Sequence, residues 1–437
     1  MKELKKSYYS FFVKKDNGDY VVYSSLTGAI VYFSDSEYIE RLEEILDKEV
    51  ILYDENNDII KLLTEKKIFV DKEQDERISV RLLYEESVIR NTQLEIMLIV
   101  TRECNFRCTY CGQPHISSRM KEETYDSVIK FIEKQIRTRG YRKVKVTFFG
   151  GEPLLEYMNI CNFLTNLNSK LTELGDIELT ADMSTNGYLL TPKKFENLVK
   201  LKCTSYQISV DGMGYTHNLT RPHVTGKATW DKIMDNIKYM ITTNNKFCIC
   251  LRTNYNLEVA ESLKEFYKYI GENLNDPRIT IYYETIKDQG NENMPDTLNE
   301  VEGMLLNISI ATILKENNLN CSNTSMRHKP CSRICYAGKP NYFIVDQNGK
   351  VLKCSYELES ENNIIGILQT DGTFDMDYDK YAKWTYTDYL SSEECQNCKV
   401  LPLCMGKRCP KGAINKNMQC NPELKMSEIE GTMKQYF

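Results

Sequence analysis

The stretch TRECNFRCTYCGQ, residues 101–113, carries three cysteines at Cys104, Cys108 and Cys111. The Cys-x3-Cys-x2-Cys spacing supplies one thiolate fewer than a closed tetrahedral metal site needs. Three thiolates on one tight loop can hold three irons of a cubane 4Fe–4S cluster, which leaves the fourth iron open to another ligand. Spacing alone also permits a structural zinc site, for which His115 is near enough in the sequence to be the fourth ligand.

The composition of the chain indicates its cellular compartment and excludes some classes of binding partner. Its 437 residues, 41% apolar and 27% charged, are enough for two or three domains. A net charge of −6 and a pI of about 5.6 argue against broad capture of nucleic acid. We find no apolar segment long enough for a membrane span and no signal peptide, so we expect a cytoplasmic protein without membrane partners. In a reducing compartment, 16 cysteines are better interpreted as metal ligands than as disulfides.

From residue 95 onward, short apolar segments alternate with helical patterns such as KEETYDSVIKFIEKQI (121–136). The alternation predicts repeated βα units around a parallel sheet, whose functional loops follow the C-terminal ends of the strands. The cysteine loop follows the first of these strands directly, so we expect it on that face. The predicted strands are EIMLIV (95–100), KVTFFG (145–150), IELTADM (177–183), YQISV (206–210), FCICLR (247–252) and RITIYYE (278–284).

Several motifs at these strand ends resemble those of the radical S-adenosylmethionine (SAM) enzymes. Tyr110 stands where that family has an aromatic residue before its third cysteine. FFGGEP (148–153) resembles the family's Gly-Gly-Glu-Pro motif, and STNG (184–187) and SVDG (209–212) end the third and fourth strands, as in the family. The resemblance covers about residues 95–310 and implies an α/β fold, a partial (β/α)6 TIM-like barrel.

The resemblance also implies roles for individual residues. The open iron would chelate the amino and carboxylate groups of SAM, while Gly150 and Gly151 allow close backbone approach to a ligand. Glu152 would bind the ammonium group of the methionine moiety. Ser209 would contact the ribose, and Arg221 would bind the SAM carboxylate. A lone arginine is as often the partner of a surface ion pair as it is a ligand-binding residue.

The sugar of SAM is the other group for which the motifs offer partners. Ser184 and Asn186 could hydrogen-bond it, although TNG is also an ordinary turn. One-electron reduction of the cluster, by a donor such as flavodoxin or ferredoxin, would cleave SAM into methionine and a 5′-deoxyadenosyl radical. The protein then supplies orientation and seclusion.

The C-terminal cysteines resemble the SPASM extension of radical SAM enzymes, which carries two auxiliary 4Fe–4S clusters. The family pattern assigns Cys395, Cys398, Cys404 and Cys420 to the second auxiliary cluster. It assigns Cys335, Cys354 and Cys409 to the first, with Cys331 as the best fourth ligand and Cys321 as a weaker one. Four residues rather than the usual three separate Cys404 from Cys409. Two zinc ribbons are the alternative, and Cys161, Cys203, Cys248 and Cys250 are expected to be buried, inert thiols.

The N-terminal segment resembles the small winged-helix domain that recognises leader peptides, and a plain capping domain is the alternative. YYSFFV, DYVVYSS and AIVYFS predict strands, and SEYIERLEEILDK predicts a helix capped by Ser36. DIIKLLTEKKIFVDKEQDE predicts a helix and a short strand, with a linker near residues 71–79. The expected domains are thus residues 1–94 for leader recognition, 95–310 for the barrel and 311–437 for the bridging and SPASM regions.

SPASM proteins largely modify peptides and proteins, so we expect a ribosomally made precursor peptide as substrate. Formylglycine formation in sulfatases is disfavoured, because Ser355 stands where those enzymes have an aspartate after the cysteine. If Cys331 closes the first auxiliary cluster, no iron there is open to a substrate cysteine. That favours a carbon–carbon cross-link of the lysine–tryptophan type, known in streptococcal peptides, over a thioether. A non-catalytic iron–sulfur electron carrier is the alternative from another class.

Overall fold

The computed structural model describes residues 2–287, 296–322, 328–386, 392–406, 409–415 and 420–437. The chain forms two compact units. The larger unit comprises Thr92–Asn323 and Pro340–Trp384, and the smaller comprises Met1–Asn91, Thr324–Lys339 and Thr385–Phe437. The N-terminal segment and the last cysteine-rich segment thus share one unit, although the predicted boundaries assign them to different domains. None of the described helices is long and apolar enough to cross a lipid bilayer.

The N-terminal part of the smaller unit contains two antiparallel sheets, each of three strands. The strands are β1 (Glu3–Lys6), β2 (Ser10–Lys14), β3 (Tyr20–Ser24), β4 (Ile30–Phe33), β5 (Ile51–Leu52) and β6 (Phe69–Asp71). The helices are α1 (Ser36–Leu46), α2 (Asp58–Glu65) and α3 (Glu76–Tyr84), which continues as a π-helix over Glu85–Ile89. The sheets have the orders β5–β1–β6 and β2–β3–β4, so within the described part of the chain β4 pairs with another strand on one side only.

Most of the predicted N-terminal elements are confirmed, and two local predictions are wrong. The N-cap of α1 is Asp35 rather than Ser36, because the Asp35 carboxylate accepts hydrogen bonds from the backbone N–H groups of the next turn. The predicted linker instead contains the start of α3, which Asp75 caps by accepting from the Arg77 N–H at 3.0 Å. The many charged residues of this segment suggested a linker, but the helix has an apolar face on which Val80 is fully buried.

A ten-stranded sheet forms the centre of the larger unit. Its strands are β7 (Gln93–Thr101), β8 (Lys143–Gly150), β9 (Glu178–Thr185), β10 (Cys203–Ser209), β11 (Cys248–Tyr255), β12 (Ile279–Thr285), β13 (Tyr342–Val345), β14 (Lys350–Leu352), β15 (Ile364–Leu368) and β16 (Phe374–Met376). The helices are α4 (Glu122–Arg139), α5 (Tyr157–Leu174), α6 (Pro192–Lys200), α7 (Gly214–Thr220), α8 (Trp230–Thr242), α9 (Leu257–Asn273), α10 (Glu300–Glu316) and α11 (Tyr378–Thr385). A 3-10 turn at Pro153–Glu156 precedes α5.

All six predicted strands are present, as β7–β12, and they pair in parallel in chain order. Apolar residues such as Ile249 and Leu251 alternate along them with polar ones and are fully buried. We call the opposite side, which carries Lys145, Asp182 and Arg252, the polar face. At the other edge of β7, β13 adds in parallel and β14–β16 follow in antiparallel order. The sheet is α/β and mostly parallel, and its closure into a partial barrel stays a prediction.

Short helices complete the smaller unit after the sheet. They are α12 (Glu393–Gln396), α13 (Leu401–Cys404), α14 (Pro410–Asn415) and α15 (Pro422–Gln435), and a 3-10 turn lies at Tyr336–Gly338. Phe11 and Tyr23 of the N-terminal sheet pack in one apolar cluster with Leu403, Ile429 and Met433. This shared core explains why segments from both ends of the chain form one unit.

Candidate functional site

The cysteine loop is held in place by the segment that follows α7. The Arg107 N–H donates to the Pro222 carbonyl and the Thr109 N–H to the Thr220 carbonyl, both at 2.9 Å. Backbone pairing of these two segments brings Arg221 beside the loop, where its positive charge favours the thiolate form of Cys108.

Gly150 and Gly151 pack against the backbone at the start of the cysteine loop. The Gly151 N–H donates to the Thr101 carbonyl at 2.9 Å, and the Glu152 N–H donates to the Glu103 carbonyl at 2.8 Å. A Cβ at Gly150 would overlap the Thr101 carbonyl, and a Cβ at Gly151 would overlap that of Glu103. The close neighbour that the structure gives these glycines is therefore the loop itself, and their contact with a cofactor stays a prediction.

Glu152 is completely buried and joins two strand ends. Its Oε1 accepts from the Leu154 N–H at 2.9 Å and the Thr185 hydroxyl at 2.7 Å, and Oε2 accepts from the Asn186 N–H at 2.8 Å. Burial raises the pKa of the carboxyl group, against these hydrogen bonds and the charge of Arg221. Oε2 has a second lone pair for a donor such as the predicted ammonium group.

Tyr110 and Arg221 belong to a buried polar network that includes two residues the sequence reasoning missed, Asp211 and Asn254. The Tyr110 hydroxyl donates to Asp211 Oδ2 at 2.5 Å, and Arg221 Nη1 donates to the Tyr110 oxygen and lies 3.6 Å from Asp211 Oδ2. Asn254 Nδ2 also donates to the Tyr110 hydroxyl oxygen, at 3.0 Å. His217 accepts from the Asp211 N–H at 3.2 Å. Asp211 lies inside the SVDG motif, which was the available signal.

The three residues predicted to contact the sugar lie at neighbouring strand ends. Asn186 donates through Nδ2 to Asn105 Oδ1 at 2.8 Å and accepts from the Tyr188 N–H at 3.0 Å, so both ends of its amide have protein partners. Ser184 accepts from Gln207 at 3.3 Å. Ser209 ends β10 on the polar face and is partly exposed. Of the three, Asn186 contacts the cysteine loop directly, through Asn105.

The residues around the loop fit an iron–sulfur cluster whose further ligand is anionic and accepts hydrogen bonds. Buried donors without a hydrogen-bond partner include Arg221 Nε and Asn105 Nδ2. Burial raises the pKa of Cys104 to about 11 and that of Cys108 to about 12, so cluster binding must release protons from both thiols. Within the described residues, no three His, Cys, Asp or Glu side chains converge as for one metal ion. The cysteine sulfurs that hold a cubane cluster lie further apart than the ligands of one metal ion, because each thiolate binds a different iron.

The second group of cysteines lies in the smaller unit. Cys398 and Cys404 are buried, and the charges of Cys395 and Cys420 act on both, which raises their pKa in addition to the effect of burial. These four cysteines are near enough for their charges to interact, and their assignment to one auxiliary cluster stays a prediction.

The cysteines predicted for the first auxiliary cluster are divided between the units. Cys331, Cys335 and Cys409 belong to the smaller unit and Cys354 to the larger one, so this ligand set stays a prediction. Cys331 has a left-handed backbone with φ of 61°, and its N–H donates to the Pro402 carbonyl at 2.9 Å. In the larger unit, Asn363 holds Cys354 by accepting from its N–H at 2.8 Å and donating to its carbonyl at 2.7 Å.

The four cysteines expected to be inert do not all have the same environment. Cys161 and Cys203 are buried as predicted. Cys248 is exposed and Cys250 is partly exposed, so the prediction is wrong for these two. Both lie on the polar face of β11, whose alternation with Ile249 and Leu251 explains the difference.

The strand-end cysteine loop, the glycine pair and the buried carboxylate define a radical SAM site, and comparison with known proteins agrees. Residues 98–270 match the Radical SAM superfamily. Residues 98–270 are therefore a radical SAM domain, which confirms the recognition of this domain from sequence.

Two characterised relatives match most of the chain. The radical SAM cyclopropyl synthase TigE of Paramaledivibacter caminithermalis is 24% identical over 93% of this chain and 89% of its own length. The cysteine-type anaerobic sulfatase-maturating enzyme of Clostridium novyi is 22% identical over 69% of this chain and 83% of its own. The chain is thus similar over most of its length to two enzymes with different activities.

Solved structures show the same fold. Native anSMEcpe with bound AdoMet and Cp18Cys peptide superposes with a TM-score of 0.62 at 18% identity, covering 79% of this chain and 96% of that chain. Streptococcus suis SuiB bound to the precursor peptide SuiA superposes with a TM-score of 0.51 at 15% identity, covering 95% of this chain and 97% of that chain. At these identities the likeness concerns the fold alone.

Proposed function

We propose that the chain is a peptide maturase that joins two side chains of a ribosomally made precursor peptide by a carbon–carbon bond, favoured as lysine to tryptophan. The observation that carries the proposal is that one chain contains both a three-cysteine SAM loop and a separate group of four cysteines. The first group supports radical formation, and the second supports acceptance of the surplus electron. Ser355 after Cys354 offers no carboxylate base of the sulfatase-maturing type.

When bound, the cluster and SAM supply a 5′-deoxyadenosyl radical that removes one hydrogen atom from the peptide. The chain's own residues hold the reactants. Glu152 offers a buried carboxylate to the SAM ammonium group, and Arg221 offers its unpaired Nε to the SAM carboxylate. Tyr110 fixes the direction of that guanidinium by accepting a hydrogen bond from Arg221 Nη1, and Asp211 holds the Tyr110 hydroxyl and lies 3.6 Å from the same nitrogen.

The reaction balances in hydrogens and electrons. One C–H bond of the peptide would break homolytically, and the 5′-deoxyadenosyl radical would take that hydrogen atom to become 5′-deoxyadenosine. The carbon radical would add to a second side chain, whose displaced hydrogen would leave as a proton. An auxiliary cluster, which Cys395, Cys398, Cys404 and Cys420 would hold, would supply the acceptor for the remaining electron. The product peptide is therefore lighter by two hydrogens, with one 5′-deoxyadenosine formed per bond.

A mass spectrum of the precursor peptide after anaerobic reaction with SAM and reductant tests the proposal. We expect the loss of two hydrogens, and a product whose free cysteines still alkylate, since a thioether would consume one. The variant with Cys104, Cys108 and Cys111 all changed to Ala should lose SAM cleavage and about a third of the iron. An unmodified peptide alongside active SAM cleavage would refute the assignment.

A second candidate is formation of a cyclopropane ring, which the relation to TigE over 93% of the chain supports. A ring closed within one side chain also removes two hydrogens. Tandem mass spectrometry separates the two products, because a cross-link suppresses backbone fragments between the joined residues. A cyclopropane instead leaves a complete fragment series with the whole mass change at one residue.

A further inference from the structure

Arg252 is a guanidinium on the polar face that the reaction described above does not use. It lies on β11 between two neighbours, aligned with Ser209 of β10 and with Tyr282 of β12. Its Nε donates to Asn254 Oδ1 at 2.9 Å, and the guanidinium lies 5.6 Å from the centre of the Tyr282 ring. These contacts fix the plane of the guanidinium and, as far as the structure describes the chain, use one of its five N–H donors.

The two terminal nitrogens of Arg252 have no carboxylate at ion-pair distance among the described residues. Arg278 and Arg221, in contrast, are paired with Asp276 at 2.7 Å and with Asp211 at 3.6 Å. The carboxylate near Arg252 is that of Glu284, which already receives the Tyr282 hydroxyl at 2.7 Å and lies 3.2 Å from Lys287 Nζ. Burial lowers the pKa of Arg252, but the phenols of Tyr356 and Tyr282 and the charge of Glu284 raise it overall.

The position of Arg252 places this charge next to the SAM site. Asn254, which orients Arg252, also donates to the Tyr110 oxygen at 3.0 Å. Residues two apart on a strand lie about 7 Å apart on the same face, and adjacent strands are about 4.8 Å apart. Arg252 is therefore one side chain away from Tyr110 and from Ser209, where the radical would form.

We propose that Arg252 binds a carboxylate of the peptide substrate, the side chain of an aspartate or glutamate close to the residue that is modified. This inference rests on the proposed function. A half-buried guanidinium with two free nitrogens matches the two oxygens of a carboxylate, and its charge-assisted hydrogen bonds would select an acidic residue over its amide. Fixing that residue would set which neighbouring C–H bond faces the radical.

The test uses two probes of equal size, N-acetylglutamate α-amide and N-acetylglutamine α-amide, which differ in one charge. Both are titrated calorimetrically into the anaerobically reconstituted full-length protein with SAM bound. The variants are R252Q and R252K, and the matched control is R142Q, since Arg142 is exposed in the turn before β8. SAM affinity and thermal unfolding are measured for each protein.

The wild type and R142Q should bind the charged probe about tenfold more tightly than the amide. R252Q should abolish this preference with unchanged SAM affinity, and R252K should keep part of it, because an ammonium lacks the planar fork. Equal binding of both probes by the wild type, or a preference that survives in R252Q, overturns the inference. A loss of SAM affinity in R252Q without any probe preference would assign Arg252 to the SAM carboxylate instead.

The two proposals can fail separately. A cross-linked peptide product without probe discrimination overturns only the role of Arg252. Probe discrimination without any modified peptide overturns the maturase and leaves a carboxylate site of another enzyme.

Discussion

At the scale of single residues, the radical SAM site depends on close backbone contact as much as on charged groups. Gly151 lies where the end of β8 meets the cysteine loop, and its N–H and that of Glu152 both donate to loop carbonyls. Its φ is not left-handed, so the requirement for glycine comes from the missing Cβ alone. A side chain there would push away the backbone next to Cys104.

We predict that Gly151→Ala lowers the free energy of unfolding by about 1–3 kcal/mol, because a Cβ would overlap the Glu103 carbonyl. The displaced loop should also bind less iron in the SAM cluster. Chemical denaturation and iron analysis measure the two effects. Gly303→Ala is the matched control, since a Cβ there meets only the end of the Thr285 side chain at 3.2 Å. Equal effects of both variants would contradict the explanation.

The buried His217 should make stability depend on pH. Burial lowers the pKa of His217 well below its usual range, so the folded protein keeps it neutral. The unfolded chain takes up a proton near pH 6.5, and this favours unfolding as the pH falls below about 6.5. Stability should be unaffected above that value and decrease by up to about 1.4 kcal/mol per pH unit below it.

The comparison of His217→Asn with the wild type tests this sign, because Asn can still accept from the Asp211 N–H without titrating near neutral pH. Between pH 7.5 and 5.5, the variant should lose less stability than the wild type in urea unfolding. His223→Asn, at a partly exposed site, is the control and should follow the wild type. A steeper loss in His217→Asn would reverse the assignment.

At the scale of secondary structure, apolar segments predicted β7–β12 well because each strand has one face against helices and repeats with a period of two. The site network was not predictable, because Tyr110 is 101 residues from Asp211 and 111 from Arg221 in the chain. The pairing of β13 with β7 joins residues that are still further apart in the chain, since Phe343 lies opposite Ile96. Motif spacing therefore located the strand ends, and only the folded sheet showed which side chains meet there.

The unpaired edge of β4 is the element that we expect to receive a leader peptide. An added strand would pair with its backbone and contact outward side chains such as Tyr32, which is 48% exposed. Tyr32→Ala should weaken binding of the leader peptide several-fold in a fluorescence anisotropy titration. SAM cleavage without peptide should not change.

Tyr38→Ala is the matched control for the leader prediction. Tyr38 is also exposed, at 40%, but lies on α1 rather than on a strand edge. We expect it to bind the leader as the wild type does. Equal binding by Tyr32→Ala and the wild type would favour the capping-domain alternative or place the leader on another edge.

At the scale of the whole molecule, the two compact units divide the predicted cluster ligands. The larger unit carries the SAM loop, and the smaller carries the four-cysteine group, in which Cys398 packs in the core formed by both chain ends. A deletion of the N-terminal segment would therefore remove part of the core around the second cluster. Point variants such as Tyr32→Ala are the cleaner test of leader recognition for this reason.

The last prediction concerns Cys331, the proposed fourth ligand of the first auxiliary cluster. Cys331 packs against the apolar cluster of Leu401 and Met405. Its backbone is left-handed, and because cysteine and alanine both carry a Cβ, Cys331→Ala should leave the cost of that conformation unchanged. Cys321→Ala, at the weaker candidate, is the control and lies in the larger unit, where Cys321 is 2% exposed.

Three closed or nearly closed clusters imply about twelve irons in the wild type. If Cys331 closes its cluster, Cys331→Ala should lower the iron content and strongly slow cross-linking. SAM cleavage should continue, because Cys104, Cys108 and Cys111 are unchanged. Full cross-linking by Cys331→Ala would leave an iron of that cluster open in the native enzyme, and would move the product assignment to thioether formation.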